Sequence, residues 1–233
     1  MRIRCGEGDM LLVRDSMTRE VVTVAPGATA AEALALCRER RIRHLPVVEG
    51  GRLVGLISDR DLRSATPALG DPDRAAALET ITVGDEMARE VVTAHPDDPI
   101  ERAAMAMYEK RIGCLPVADG DELVGILTAS DVMKAFVRLV GAHEPGSRVE
   151  VALPDRPGAL AGVVDVLREE GVNLVSVLAS PEADERGSDG AARRVVVLRL
   201  GTVNTLGVVE RLRVAGYGVL WPPAPDEGPG RAS

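Results

Sequence analysis

Leu53-Val54-Gly55-Leu56-Ile57-Ser58-Asp59-Arg60-Asp61-Leu62 and Leu123-Val124-Gly125-Ile126-Leu127-Thr128-Ala129-Ser130-Asp131-Val132 lie seventy positions apart and share one pattern. In each, an apolar run of strand character ends in a hydroxyl residue, and three positions later an aspartate falls in the first turn of an expected helix. That spacing has two uses. As a helix cap, Ser58 or Thr128 accepts backbone N–H bonds and the acid complements the helix dipole. As a binding site, the hydroxyl and free N–H groups hold a phosphate while the aspartate accepts hydrogen bonds from the two hydroxyls of a ribose.

Outward from these stretches the repeat continues. Met17-Thr18-Arg19-Glu20-Val21-Val22-Thr23-Val24-Ala25-Pro26 recurs as Met87-Ala88-Arg89-Glu90-Val91-Val92-Thr93-Ala94-His95-Pro96 at the same offset and without insertion. Val-Val-Thr before the proline reads as a short strand, because proline cannot donate to a ladder. A helix should follow in each copy. In the first, Thr29 is the expected cap with Glu32 three residues on, and Ala30, Ala33, Leu34 and Cys37 form the apolar face. In the second, Asp98 is the expected cap, Pro99 the first helical residue, and Ile100, Ala103, Ala104 and Met107 the face. Each copy then carries a hairpin, turning at Glu49-Gly50-Gly51-Arg52 and at Asp119-Gly120-Asp121. Tandem copies of strand, helix, strand, strand, helix predict a pseudo-twofold pair whose sheets share one interface. Residues 66–73, rich in proline and glycine, connect them.

These residues resemble a cystathionine beta-synthase (CBS) domain pair, or Bateman module. The likeness rests on the V-V-T-x-x-P opening, the I-x-x-L-P-V segment, the L-V-G-hydrophobic-hydrophobic-[Ser/Thr]-x-x-Asp close and their duplication. In many proteins such modules bind adenine nucleotides or related adenosyl compounds. The resemblance implies that Asp61 and Asp131 hold ribose, that Ser58 and Thr128 contact phosphate, and that Val22, Thr23, Val24 with Val92, Thr93, Ala94 wall the adenine. It also makes Arg43, His44 and Arg60 phosphate-side residues, and their replacement by Gly113, Cys114 and Ser130 implies unequal sites. Which copy's ligand each of them reaches is open. So is the bland reading of Arg43 and Arg60 as solvated arginines and of His44 as a packed neutral histidine.

A linker over residues 141–147 precedes a different pattern. Residues 148–153 alternate like a half-buried strand, and Leu160, Val163, Val164, Val166 and Leu167 mark a helix. Strands at 172–178 and 195–200, a helix at 205–214 and a strand at 218–220 complete the order strand, helix, strand, strand, helix, strand, a ferredoxin-like arrangement. With Asp155-Arg156-Pro157-Gly158 and Gly171-Val172-Asn173-Leu174, the segment resembles an ACT domain. The resemblance implies an amino-acid site at Asp155, Arg156, Gly158 and Asn173, where such loops meet a partner subunit; a purely structural role for the turn is the alternative. The whole order resembles the acetoin utilisation protein AcuB type. The expected fold class is α/β (α+β): CBS domain 1 at 10–70, CBS domain 2 at 71–140, an ACT domain at 148–221 and a disordered tail at 222–233.

Composition narrows the function. Aromatic residues are 2% of the chain, so stacking platforms for single-stranded nucleic acid are not expected. A net charge of -8 without a basic run opposes attraction to nucleic acid or anionic lipid. No apolar stretch reaches membrane-span length and nothing reads as a signal peptide, so a cytoplasmic protein is expected. Cys5, Cys37 and Cys114 lack paired spacing, as do His44, His95 and His143, which argues against disulfide or metal. Ser58, His44 and Asp61 contain the residue types of a triad, but no nucleophile elbow surrounds the serine and the second copy has no histidine. Dinucleotide, Walker and H-E-x-x-H motifs are missing. The expected function is therefore a non-catalytic, homodimeric regulator, with no cofactor required, that takes AMP, ADP, ATP or S-adenosylmethionine as regulatory ligand and acts on a partner enzyme, in acetoin or central carbon metabolism by the AcuB likeness. A ligand-free dimeric scaffold docking on an enzyme is the alternative, and an unrecognised enzyme the third reading.

Overall fold

In the computed structural model, residues 11–68, 70–180, 185–186 and 192–223 are described, and the chain forms two compact units, Met1–Ala135 and Phe136–Ser233. The first repeat supplies α1 (Val13–Ser16), α2 (Ala30–Arg40), β1 (His44–Glu49), β2 (Arg52–Ser58) and α3 (Asp59–Ala65). After α4 (Arg74–Thr80), the second supplies α5 (Val83–Glu86), α6 (Ile100–Lys110), β3 (Cys114–Asp119), β4 (Glu122–Thr128) and α7 (Ala129–Leu139). Both hairpins form as the repeats predict. Gly50 and Gly51 turn the first with φ of 57° and 83°, a conformation that residues with a Cβ avoid. The four strands make one sheet of order β1-β2-β4-β3, joined across the copies at Arg52 and Glu122.

α2 begins where Thr29 and Glu32 predict. The Glu32 amide donates to Thr29 Oγ1 at 3.2 Å, and Glu32 Oε2 accepts the Thr29 amide at 2.9 Å. Ala30, Ala33 and Cys37 are buried in the first copy's core with Leu45, Val47 and Ile57. Two expectations need correction. Pro99, not Asp98, is the residue at the head of α6; the Asp98 carboxylate instead turns back to accept the His95 amide at 2.8 Å. Val-Val-Thr does not become a strand in either copy. Only Val24 and Ala94 pair, each by a single parallel bridge to Val47 or Val117, before the prolines lead the chain away.

The two copies exchange their leading segments. α1 and Met17 pack in the second copy's core: Val13 is fully buried beside Leu115, Val117 and Leu127, and Thr18 pairs with Ile126 through two 2.9 Å backbone bonds. Reciprocally, α5 and Met87 pack in the first copy's core with Leu45, Val47 and Ile57, and Ala88 pairs with Leu56. Gly55 and Gly125 permit this crossing. A Cβ on either would stand 2.5 Å from the sulfur of Met87 or Met17.

The second unit contains β5 (Ser147–Pro154), α8 (Ala159–Glu169), β6 (Leu174–Ala179), β7 (Glu185–Arg186), β8 (Ala192–Leu200), α9 (Leu206–Val214) and β9 (Gly218–Trp221). Its antiparallel sheet has the order β6-β8-β5-β9, with β7 on β8. One aliphatic core forms between the sheet and both helices, from Val149, Val151, Leu153, Val163, Leu167, Leu198, Leu200 and Leu212 among others. Val164, expected on the apolar face of α8, is exposed. The expected tail lies outside the described residues from 224 onward.

Candidate functional site

Both closing motifs fold as caps. The Ser58 amide and hydroxyl donate to Asp61 Oδ2 at 3.0 and 2.6 Å, and the Asp61 amide returns a bond to Ser58 Oγ at 3.2 Å. Thr128 and Asp131 repeat this at 3.0, 2.6 and 3.3 Å. The cap and the binding reading are compatible, because each cap occupies one carboxylate oxygen. In Asp131 the other, Oδ1, faces Lys134 Nζ at 3.5 Å. The amides at the start of α7 are largely committed: Thr128 to Asp131, Ala129 to the Gly113 carbonyl at 3.0 Å, and Asp131 to Thr128. Any phosphate here would therefore depend chiefly on side-chain cations.

A cavity of about 530 Å³ opens beside Asp131, within the range of small-molecule sites. Its lining comes from both copies. The first contributes Thr18, Glu20, Val21 and Val22 from the opening segment and Arg41, Ile42, Arg43 and His44 from the end of α2 and the start of β1. The second contributes Gly113, Ile126, Thr128, Ala129, Ser130, Asp131 and Lys134. Of the residues singled out in sequence, Val22, Arg43, His44, Thr128 and Asp131 are thus brought together. Thr23, Val24, Ser58, Arg60, Asp61, Val92, Thr93 and Ala94 are not among the lining residues. Ser58, Arg60 and Asp61 hold the repeat-equivalent positions of Thr128, Ser130 and Asp131 on the other half of the module. Arg43 and His44 therefore share a cleft with the second copy's motif, a pairing the repeat itself leaves open. Arg41 and Lys134 are cleft residues that sequence reasoning missed; the replacement of Lys134 by Ser64 in the other copy was the available signal.

His44 is half-buried, and burial pulls its pKa below 6.5; Asp59 and Asp61 oppose that shift and Arg43 reinforces it. Its ring reaches across to Gly113, where a Cβ would meet Cε1 at 3.2 Å. The exchange of Arg43 for Gly113 between copies thus leaves room for this ring. The Ser58 hydroxyl is committed to Asp61, and His44 makes no hydrogen bond with it among the described residues, so no triad forms. Cys37 and Cys114 are buried thiols, and burial pushes Cys114 up to about 12.

The residues of the expected amino-acid site, which that expectation places where the loops meet a partner subunit, lie apart within one chain. β5 and β6 both run antiparallel to β8, hence parallel to each other, and Leu200 pairs with both Ser147 and Leu174. Asn173 therefore stands at the beginning of β5, whereas Asp155, Arg156 and Gly158 follow its end, roughly 25 Å away at strand spacing. Asp155 Oδ1 instead accepts two bonds from Arg194, at 3.0 and 3.2 Å, and Gly158 heads α8 with φ 81°.

Two hairpins in one sheet, exchanged leading segments and paired hydroxyl-acid closes define a tandem CBS module, followed by a ferredoxin-like domain. Residues 13–67 and 83–138 match the CBS domain family, and residues 147–216 the ACT domain family. The CBS domain-containing protein YhcV of Bacillus subtilis is 35% identical over 123 residues, 53% of this chain and 84% of its own length. The chain belongs to the CBS-domain family and carries an ACT domain after its CBS pair. It is also similar to a Vibrio cholerae protein of known structure assigned provisionally to acetoin utilization (AcuB), with 34% identity, a TM-score of 0.50 and coverage of 58% of this chain and 99% of that one. The CBS domain pair of protein MJ0100, solved with 5′-methylthioadenosine and S-adenosyl-L-methionine, is 30% identical with a TM-score of 0.48, covering 58% of this chain and 99% of that one. The chain spans only 23% of a matching enzyme, the homoserine O-acetyltransferase of Methanohalobium evestigatum, at 35% identity over 124 residues, 52% of this chain. Among the described residues no helix is long and apolar enough to cross a membrane.

Proposed function

We propose that the cleft beside Asp131 binds an adenosyl nucleotide and that the chain is a non-catalytic regulator responding to it. The observation carrying this reading is the composition of one cavity wall: Val21, Val22, Ile42 and Ile126 offer an apolar surface for a base, Asp131 offers an acceptor for a ribose diol, and Arg41, Arg43 and Lys134 offer donors for phosphate. The residues fit such a ligand in size and in chemistry. Because both copies line the cleft, a bound ligand bridges them, and it shifts their arrangement by as much as its affinity differs between the two states. The ACT domain serves dimerisation or a second small-molecule signal, and the regulated partner is an enzyme. The AcuB likeness supports a search for that partner in acetoin or carbon metabolism.

Thermal unfolding of the full chain with AMP, ADP, ATP, S-adenosylmethionine and a set of amino acids tests this. A ligand at 100 times its dissociation constant should add about 2.7 kcal/mol. Asp131→Ala should remove the shift. If no adenosyl compound moves the transition at millimolar concentration, the sensor reading fails and the ligand-free scaffold takes its place. Turnover of an added nucleotide would overturn the non-catalytic reading.

A further inference from the structure

The cleft beside Asp131 is more positive than its chain. Arg41, Arg43 and Lys134 face Glu20 and Asp131 there, whereas the protein as a whole carries a net charge of -8. Among the described residues, neither Arg41 nor Arg43 has an acid within salt-bridge range. Lys134 touches Asp131 only at 3.5 Å, with its side chain 73% exposed, a loose contact that leaves the ammonium able to swing to another anion.

The fold does not require these charges. The equivalent of Lys134 in the first copy is Ser64, and the equivalent of Arg43 in the second is Gly113; both copies fold alike with the neutral residue. Arg41 is more telling. It closes α2 with φ 54°, in the left-handed region where glycine is the ordinary occupant and a side chain strains the backbone. Arg111 does the same for α6 at φ 55°, so both copies forgo glycine at this helix end. At position 41 the side chain so retained lines the cleft.

We infer that this cleft selects its ligand by the phosphate end, taking an adenosine with two or more phosphates in preference to an adenosyl compound with a cationic tail, and that Lys134 and Arg41 set the preference. The inference rests on the proposed adenosyl site and goes beyond it by naming the ligand class. Each phosphate added to adenosine brings negative charge toward three cations, and the donors are chiefly side chains because the amides of Thr128, Ala129 and Asp131 are already used. A sulfonium tail would bring a positive charge to the same place.

Binding of adenosine, AMP, ADP, ATP and S-adenosylmethionine to the full chain is measured by calorimetry at low and at physiological salt. Affinity should rise from adenosine to ADP and ATP, and the gain should shrink with salt. Lys134→Ser and Arg41→Gly should each weaken ADP about tenfold while leaving adenosine unchanged. Glycine suits φ 54°, so Arg41→Gly should unfold at or above the wild-type midpoint, and Lys134→Ser, a residue the equivalent position 64 tolerates, should lose only the small helix propensity difference between lysine and serine; a tenfold loss of ADP affinity with adenosine unchanged then reports charge and not misfolding. S-adenosylmethionine binding as tightly as ADP, or both variants weakening adenosine as much as ADP, overturns the inference and leaves the adenosyl site standing. If none of the five compounds binds the wild-type chain, the proposed function falls with it.

Discussion

Gly125→Ala tests the exchange of leading segments directly. The new Cβ would lie 2.5 Å from Met17 Sδ, 3.0 Å from Met17 Cγ and 3.2 Å from the Thr18 carbonyl oxygen. Gly125 does not have positive φ, so alanine carries no backbone penalty and the whole effect is steric. The methionine sulfur can rotate away, but the Thr18 carbonyl is held by the Ile126 amide at 2.9 Å. Overpacking of this kind costs about 1–3 kcal/mol. If the cost falls on the leading segment, a loss of about 2 kcal/mol should accelerate amide exchange of residues 11–18 roughly 30-fold, leaving the second unit unchanged. Mass-resolved hydrogen exchange reads both. Met17→Ala removes the obstacle, so in that background Gly125→Ala should cost at least about 1 kcal/mol less. Gly55 and Met87 form the same pair in the other copy and provide an internal replicate. Equal cost of Gly125→Ala with and without Met17, or unchanged exchange at 11–18, would refute the reasoning.

Two further outcomes concern titration and reactivity. Burial holds His44 below its usual pKa of 6.5, so as pH falls the unfolded chain binds the proton first; stability is complete above about pH 6.5 and is lost as pH drops through the folded pKa. His44→Gln should flatten that part of the acid limb in urea midpoints measured from pH 8 to 5, and an unchanged slope would contradict the assignment. Cys114, raised to about 12, and Cys37, raised by burial and by Asp59 against the pull of Arg63, should resist iodoacetamide at pH 8 in the native chain and react after denaturation. Peptide mapping that finds Cys114 alkylated at a free-thiol rate in the native protein would contradict its burial.

Much of the architecture was legible because it depends on neighbours in sequence. Thr29 with Glu32, Ser58 with Asp61, and Thr128 with Asp131 are local geometry, and each forms as its spacing predicts. The hairpins followed from turn glycines between apolar runs. What the sequence concealed is which copy a segment serves. A repeat aligns Met17 with Met87 but says nothing about which copy either packs upon; the hint was a glycine inside each apolar β-run, at 55 and 125, where a close approach was required. The same ambiguity hid the makeup of the cleft, since Arg43 and Thr128 are distant in sequence and meet only across the pseudo-twofold. In the second unit, the motifs at Asp155 and Asn173 carry no sign of their spacing in one chain; the crossover through α8 puts them at opposite ends of parallel strands.

The crossed leading segments also bear on ancestry. Val13 fills a hole in the copy that begins seventy residues later, and Val83 fills one in the copy that came before. A lone copy folding on this plan would carry a plug fitted to a socket it does not possess. It would be complete only in a pair, each molecule lending its plug to the other. Duplication within one gene would convert that exchange between molecules into one within a chain, freeing the two copies to diverge elsewhere, as Arg43 and Lys134 have from Gly113 and Ser64.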